Sequence, residues 1–164
     1  MRQDLNNCTY FNGQHFIPNQ SIKFNDKVIG EIGAAPDSSP GQDSIIPGLI
    51  DLQIYGAGNR LFSADPSVES LEIIEKDLLS RGTTSFLICL ATNTPEVFRS
   101  AINSVKQHRP DAKNCMGLHL EGPFLNPKKR GAHIESLIRR ATLDEIKELL
   151  DFGDGVIKMM TIAP

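Results

Sequence analysis

The chain has 164 residues, of which 40% are hydrophobic and 23% charged, with a formal net charge of −3. That length fits one domain or slightly more, and the apolar fraction is enough for a buried core. The weak acidity offers no basic field for general nucleic-acid binding. No apolar run approaches 18 residues, so a membrane-spanning helix is not expected.

The N-terminal segment Met1-Arg2-Gln3-Asp4-Leu5-Asn6-Asn7 lacks the apolar core of a signal peptide. Cys8, Cys89 and Cys115 are odd in number and far apart. They suggest neither a disulfide framework nor a Cys-rich zinc site, and Cys89 and Cys115 read as small core residues within apolar runs. These features point to a reducing, cytoplasmic setting.

The first part of the chain reads as short strands. Thr9-Tyr10-Phe11, His15-Phe16-Ile17, Ser21-Ile22-Lys23-Phe24 and Lys27-Val28-Ile29-Gly30-Glu31-Ile32 are separated by polar turns. Asn25-Asp26 marks a tight hairpin. Residues 1–46 are therefore expected to form a small antiparallel piece, with Ala34 to Ser44, carrying Pro36, Pro40 and Gly41, as a linker.

From there the pattern alternates between strand and helix. Leu49-Ile50-Asp51-Leu52-Gln53-Ile54 is a first buried strand, and Gly56-Ala57-Gly58-Asn59 follows as a flexible loop. Asp65-Pro66 reads as an N-cap with proline at the first helical position. Val68, Leu71, Ile74 and Leu78 form one helical stripe, ended by Gly82. Thr84 to Leu90 is the second strand. Thr94-Pro95 opens a second helix with Phe98, Ala101, Ile102 and Val105 on one face, and Pro110 lies past its end. Cys115 to Leu120 is the third strand. Thr142 and Glu145 form a capping box for a helix carrying Leu143, Ile146, Leu149 and Leu150, with Gly153 beyond it. Val156 to Ile162 is the fourth strand.

These strands begin roughly 32 to 40 residues apart, close to the roughly 31 residues per unit of an eightfold β/α barrel. Residues 47–164 thus read as the first four βα units of such a barrel. An open, doubly wound four-stranded sheet is the alternative at this length.

Within this frame one stretch carries chemistry. His119-Leu120-Glu121-Gly122-Pro123-Phe124 places a carboxylate where a buried strand runs out. In a β/α barrel that is the catalytic face. Gly122-Pro123 ends the strand, and a carboxylate fixed there suits a hard divalent ion. His133, twelve residues on, lies in the following loop. Lys128-Lys129-Arg130 is a basic run able to attract a phosphate, though such runs are usually solvated. His15 and His108 suggest no role.

Three stretches resemble the N-acetylglucosamine-6-phosphate deacetylases of the amidohydrolase superfamily. They are Pro47 to Ile54, Gly117 to Pro127 followed by Lys129-Arg130-Gly131-Ala132-His133, and Thr161-Ile162-Ala163-Pro164. The resemblance implies the N-terminal half of a (β/α)8 TIM-type barrel, preceded by a small antiparallel β-sandwich portion. It implies Glu121 as a ligand to one divalent metal, zinc or iron, and Ala132 and His133 as substrate-binding. Many amidohydrolases carry His-x-His where this chain has Gln53-Ile54-Tyr55. Gln53 fits the single-metal Gln-x-Asn subtype of the family, whereas Tyr55 departs from its asparagine. Gln53 and His119 are expected to line or support the site.

The implied reaction is hydrolysis of the acetamido group of N-acetylglucosamine 6-phosphate to glucosamine 6-phosphate and acetate. The implied partner is a small amino-sugar phosphate, with no nucleic acid or membrane, in a homo-oligomer, a dimer. The family's later histidine ligands and catalytic aspartate correspond to positions beyond Pro164. No catalytic residue is therefore expected within these residues, and residues 1–164 alone are expected to be inactive. Another metal-dependent amidohydrolase and a non-catalytic fragment of the fold remain as alternatives.

Overall fold

The computed structural model describes residues 4–26, 28–36, 41 and 43–163. It divides into two compact units, Met1–Pro47 and Gly48–Pro164. Lys27, Pro164 and the part of the expected linker at 37–40 and 42 lie outside the described residues.

The first unit is a four-stranded sheet, ordered β3-β2-β1-β4. Its strands are β1 (Leu5–Phe11), β2 (Phe16–Asn25), β3 (Val28–Ala34) and β4 (Ser44–Ile45). β1, β2 and β3 pair antiparallel, while β4 joins β1 in parallel, so the sheet is mixed. The two short runs His15–Ile17 and Ser21–Phe24 are one strand. Pro18 and Asn19, with φ +54°, bend it without ending it. The hairpin at Asn25-Asp26 is present: Asn25 pairs with Val28, and Asp26 has φ +55°. Cys8 and Ile22 are the buried apolar residues of this sheet.

The second unit is mixed α/β with a parallel sheet. Its order is β10-β9-β8-β5, formed by β5 (Leu49–Ile54), β8 (Thr83–Ala91), β9 (Cys115–Glu121) and β10 (Ile157–Thr161). Helices α1 (Val68–Ser80), α2 (Pro95–His108) and α3 (Leu143–Phe152) connect successive strands. No helix among the described residues is long and apolar enough to cross a membrane.

Helix α1 starts two residues later than Asp65-Pro66 suggested. Ser67 is its N-cap, accepting from the Ser70 N–H, and Asp65 instead accepts the Ser70 hydroxyl. Thr94 caps α2, with Pro95 as its first residue. Thr142 accepts the Glu145 N–H at the start of α3, while the Glu145 carboxylate is engaged by Arg139. The Gly56–Asn59 segment is a hairpin rather than a loose loop. Gly58 and Asn59, at φ +58° and +61°, join β6 (Gly56–Ala57) to β7 (Arg60–Leu61) in a turn that suits paired strands.

Side chains on a strand alternate between faces. Phe86, Ile88 and Leu90 of β8 pack with Leu118 and Leu120 of β9 against Leu71, Ile74 and Leu78 of α1 and Phe98, Ala101, Ile102 and Val105 of α2. The intervening residues, Cys89, Ala91, His119 and Glu121, share the opposite face. Burying the larger of these core side chains contributes roughly 1.5–3 kcal/mol each. Helix α3 buries none of its residues fully among those described; Leu143 is 76% exposed. It lies against α2, tied by the Arg99–Glu148 ion pair and by Arg99 and Lys106 over the Phe152 ring.

At the N-terminal end of the sheet, a buried carboxylate ties α1 to β9. Glu75 Oε1 accepts the N–H groups of Lys113, Asn114 and Cys115 at 2.9, 3.0 and 2.8 Å. Its Oε2 lies 2.9 Å from His108 Nε2, and both side chains are only 3% exposed. Burial by itself pushes the Glu75 carboxyl up. The Asn114 and Cys115 N–H groups and His108 outweigh that, holding it below the usual carboxylate range. The two short edges, β5 and β10, have no further strand beside them among the described residues. On β5, Leu49, Ile50 and Leu52 are exposed.

Candidate functional site

The sheet ends in a polar cluster at the C-terminal ends of β5, β8 and β9. Glu121 is the last residue of β9 and pairs in register with Ala91 of β8 and Thr161 of β10. Gln53 comes from β5 and Tyr55 follows it by one residue beyond the strand end. Gln53 Nε2 donates to Glu121 Oε1 at 2.9 Å and to the Tyr55 oxygen at 2.9 Å. The Tyr55 hydroxyl donates to Glu121 Oε2 at 2.5 Å. These contacts pass over β8, where Cys89 and Ala91 are small enough to leave room.

Burial, and next the bond to Glu121, push the Tyr55 phenol up to about 12. The Cys89 thiol is likewise pushed up to about 12, by burial first and then by the charge of Glu121. Both therefore stay protonated at neutral pH: the phenol is a donor, and the thiol is inert.

His133 arrives from the loop after β9. Its Nδ1 lies 2.9 Å from Thr92 Oγ1, and its Nε2 lies 3.5 Å from Glu121 Oε2. Thr92 donates its single hydroxyl hydrogen to the Glu121 carbonyl at 3.3 Å. It must then accept from His133, which puts a proton on Nδ1 and turns Nε2 toward Glu121. A turn holds the ring in place: Arg130 Nη1 donates to the His133 carbonyl at 2.8 Å, and its Nε pairs with Glu135 at 3.3 Å. Arg130 thus serves the loop. Ala132 is exposed beside His133, and no hydrogen bond or ion pair links it to Glu121.

His119 sits one pleat below Glu121 on the same face. Its Nδ1 lies 2.9 Å from the Leu52 carbonyl and its Nε2 lies 2.8 Å from Thr161 Oγ1. A carbonyl only accepts, so Nδ1 carries the proton and Nε2 accepts from Thr161. Both nitrogens are occupied. The bond to Leu52 reaches a backbone two strands away, which a flat sheet with strands nearly 5 Å apart does not allow for so short a side chain. The sheet is therefore curled toward this face.

Of the residues singled out in the sequence, Gln53, Glu121 and His133 come together, His119 lies beneath them and Ala132 lies outside the cluster. Tyr55 and Thr92 join it as well. Tyr55 stood out as a departure from the Gln-x-Asn pattern. Thr92 had no signal beyond its place just after a strand. Among the described residues, no group of three or more His, Cys, Asp or Glu is placed to hold a metal ion.

Gly122 closes the site from behind. Its φ is +89°, and a Cβ there would lie 2.2 Å from Thr92 Oγ1, the hydroxyl that orients His133. Gly122→Ala is expected to destabilise the fold by roughly 1–3 kcal/mol from backbone strain and to displace Thr92. Urea denaturation reads the first effect. A stability within a few tenths of wild type would refute it.

The second unit is thus an α/β fold whose parallel strands carry a carboxylate-centred polar cluster at their C-terminal ends. Over almost its whole length the chain matches the N-terminal part of the N-acetylglucosamine-6-phosphate deacetylases. It is 32% identical over 171 aligned positions to the enzyme of that name from Haemophilus influenzae, covering 99% of this chain and 45% of the relative. It is 38% identical over 126 positions to the human enzyme, covering 73% of this chain and 31% of the relative. The chain therefore spans less than half the length of these curated relatives. Crystal structures of N-acetylglucosamine-6-phosphate deacetylases show the same fold. The one from Pasteurella multocida superposes with a TM-score of 0.81 at 28% identity, over 95% of this chain and 43% of that one. The one from Mycobacterium smegmatis gives 0.82 at 26% identity, over 99% and 44%. No protein-family model matches the chain.

Proposed function

We propose that these residues form the N-terminal part of a metal-dependent deacetylase that hydrolyses N-acetylglucosamine 6-phosphate to glucosamine 6-phosphate and acetate. The observation that carries this reading is the Glu121 carboxylate, held at a strand's C-terminal end by Gln53 and Tyr55 with Nε2 of His133 beside it. The activity named for the relatives above supports the same reading.

The donor set fits a divalent cation. The ring of bonds uses one acceptor site on each Glu121 oxygen and leaves others open, and a hard carboxylate oxygen suits a divalent ion. Glu121 is the metal ligand in this reading, and further ligands come from outside the described residues. An ion held there, zinc or iron, supplies the Lewis acidity that amide hydrolysis needs. Gln53 and Tyr55 orient the carboxylate, and His119 braces the strand beneath it. Gln53 and Tyr55 offer donors rather than ligands, which agrees with a single ion. His133 accepts a hydrogen bond from a substrate hydroxyl or amide, and Ala132 shapes the loop beside it.

Residues 1–46 are read as a portion of a β-sandwich and 47–164 as the first four units of a (β/α)8 barrel. The open edges, the exposed apolar residues of β5 and the curl of the sheet support that reading. The enzyme is placed in the cytoplasm, as a homo-oligomer.

The direct test is acetate release from N-acetylglucosamine 6-phosphate by the complete polypeptide carrying these residues, with zinc or iron added and then chelated. Chelation is expected to abolish turnover. Absence of acetate release under every metal condition would refute the proposal. His133→Ala is expected to leave the metal content near wild type. It should lower kcat/KM by about 1–3 kcal/mol, the cost of a lost buried hydrogen bond. Full activity in that variant would remove His133 from the substrate site.

A further inference from the structure

We infer that Tyr55 is a positioning residue, whose hydroxyl fixes the Glu121 carboxylate in the orientation that receives the metal ion. The inference rests on the reading of Glu121 as a ligand. Tyr55, Gln53 and Glu121 form a closed ring of hydrogen bonds. Gln53 Nε2 donates to both Glu121 Oε1 and the Tyr55 oxygen, each at 2.9 Å, and the Tyr55 hydroxyl donates to Glu121 Oε2.

Donor directions in this ring are determined. A carboxylate only accepts, so the Gln53 amide must turn its nitrogen toward it, and the Tyr55 oxygen must spend its one hydrogen on Oε2. With one donor on each oxygen, the carboxylate plane cannot rotate freely. An ionised carboxylate has about four acceptor sites. Two are used by the ring, and the remainder are available to a cation.

The arrangement depends on side-chain length. Tyr55, just past the end of β5, and Glu121, at the end of β9, are separated by β8, and the phenol crosses above Cys89 and Ala91. A shorter residue at 55 leaves Oε2 without this donor. Removing the hydroxyl alone frees one oxygen while the ring stays to fill the space.

Tyr55→Phe in the complete polypeptide tests this. The metal-free protein is titrated with zinc and with cobalt(II) against a chromophoric chelator, and the visible spectrum of the cobalt form is recorded. Partners that orient a metal ligand are typically worth 10- to 100-fold in affinity. Tyr55→Phe is expected to weaken binding by about that factor and to shift the cobalt bands, with the circular dichroism unchanged. Loss of packing alone would not move the cobalt bands, because Phe keeps the ring. Glu121→Gln is measured alongside. Binding lost in Glu121→Gln but unchanged in Tyr55→Phe, with the same cobalt spectrum, overturns the role of Tyr55 alone. Binding unchanged in both variants overturns the ligand reading of Glu121 and this inference with it.

Discussion

Glu121→Gln is expected to strip the complete protein of its metal and to lower turnover on the order of 10³-fold. Glutamine has the shape of glutamate but one acceptor oxygen and an N–H2 group. Both oxygens of Glu121 now face donors, Gln53 on Oε1 and the Tyr55 hydroxyl on Oε2. In the variant one donor faces another whichever way the amide turns, and the negative charge that attracts a cation is gone. A loss of about 4 kcal/mol of transition-state stabilisation corresponds to that factor, at 1.36 kcal/mol per decade. Elemental analysis of the purified variant and a kcat measurement decide it. A stoichiometric metal content would remove Glu121 from the site.

The second large effect is on stability. Glu75→Ala is expected to cost roughly 3–5 kcal/mol, the usual result of removing one member of a buried charged network. Three backbone N–H groups before and at the start of β9 lose their acceptor, and His108 loses its partner in a site that is 3% exposed. The penalty depends on pH. The folded carboxyl is held below its ordinary value of 4.5, so its contribution is complete well above that value. It fades as pH falls through the depressed folded value. Wild type and variant should therefore differ most near pH 7 and converge in strong acid. Urea unfolding at both pH values measures this, and a penalty under about 1 kcal/mol near pH 7 would refute it.

The alternation of strands and helices in residues 48–163 was legible because each helix carries its own signals. Thr94-Pro95 and Thr142 act as caps where they stand in the sequence, and the stripe on α2 is fully buried. The start of α1 was harder to read, since Asp65 and Ser67 are both good caps, and the geometry uses Ser67 to cap the helix and Asp65 to hold Ser70. Glu145 had two partners within reach: the helix start, and Arg139, which is invisible as a neighbour until the loop has folded back. The central strands could be read from their apolar runs. The fusion of two runs into β2 could not, because it depends on Asn19 adopting a positive φ.

At the site, Glu121 was conspicuous because it interrupts an apolar run beside Gly-Pro. The Glu75–His108 network was not. Glu75 occupies one more exposed-looking place on an amphipathic helix, and its three N–H donors lie 38 to 40 residues away. Tyr55 and Thr92 depended on which strands lie side by side and on the small residues between them.

The curl of the parallel sheet has a thermodynamic consequence. Gln53 and Tyr55 reach Glu121, and His119 reaches the Leu52 carbonyl, from strands that are not hydrogen-bonded neighbours. All of these contacts weaken together if β5 swings away from β9. On the proposed reading of Glu121 as a ligand, whatever holds β5 in place would raise the affinity of the carboxylate for a cation. By reciprocity, a cation bound there would favour the curled arrangement by the same free energy. A weakness in either ion loading or the curl would then appear as a deficit in the other.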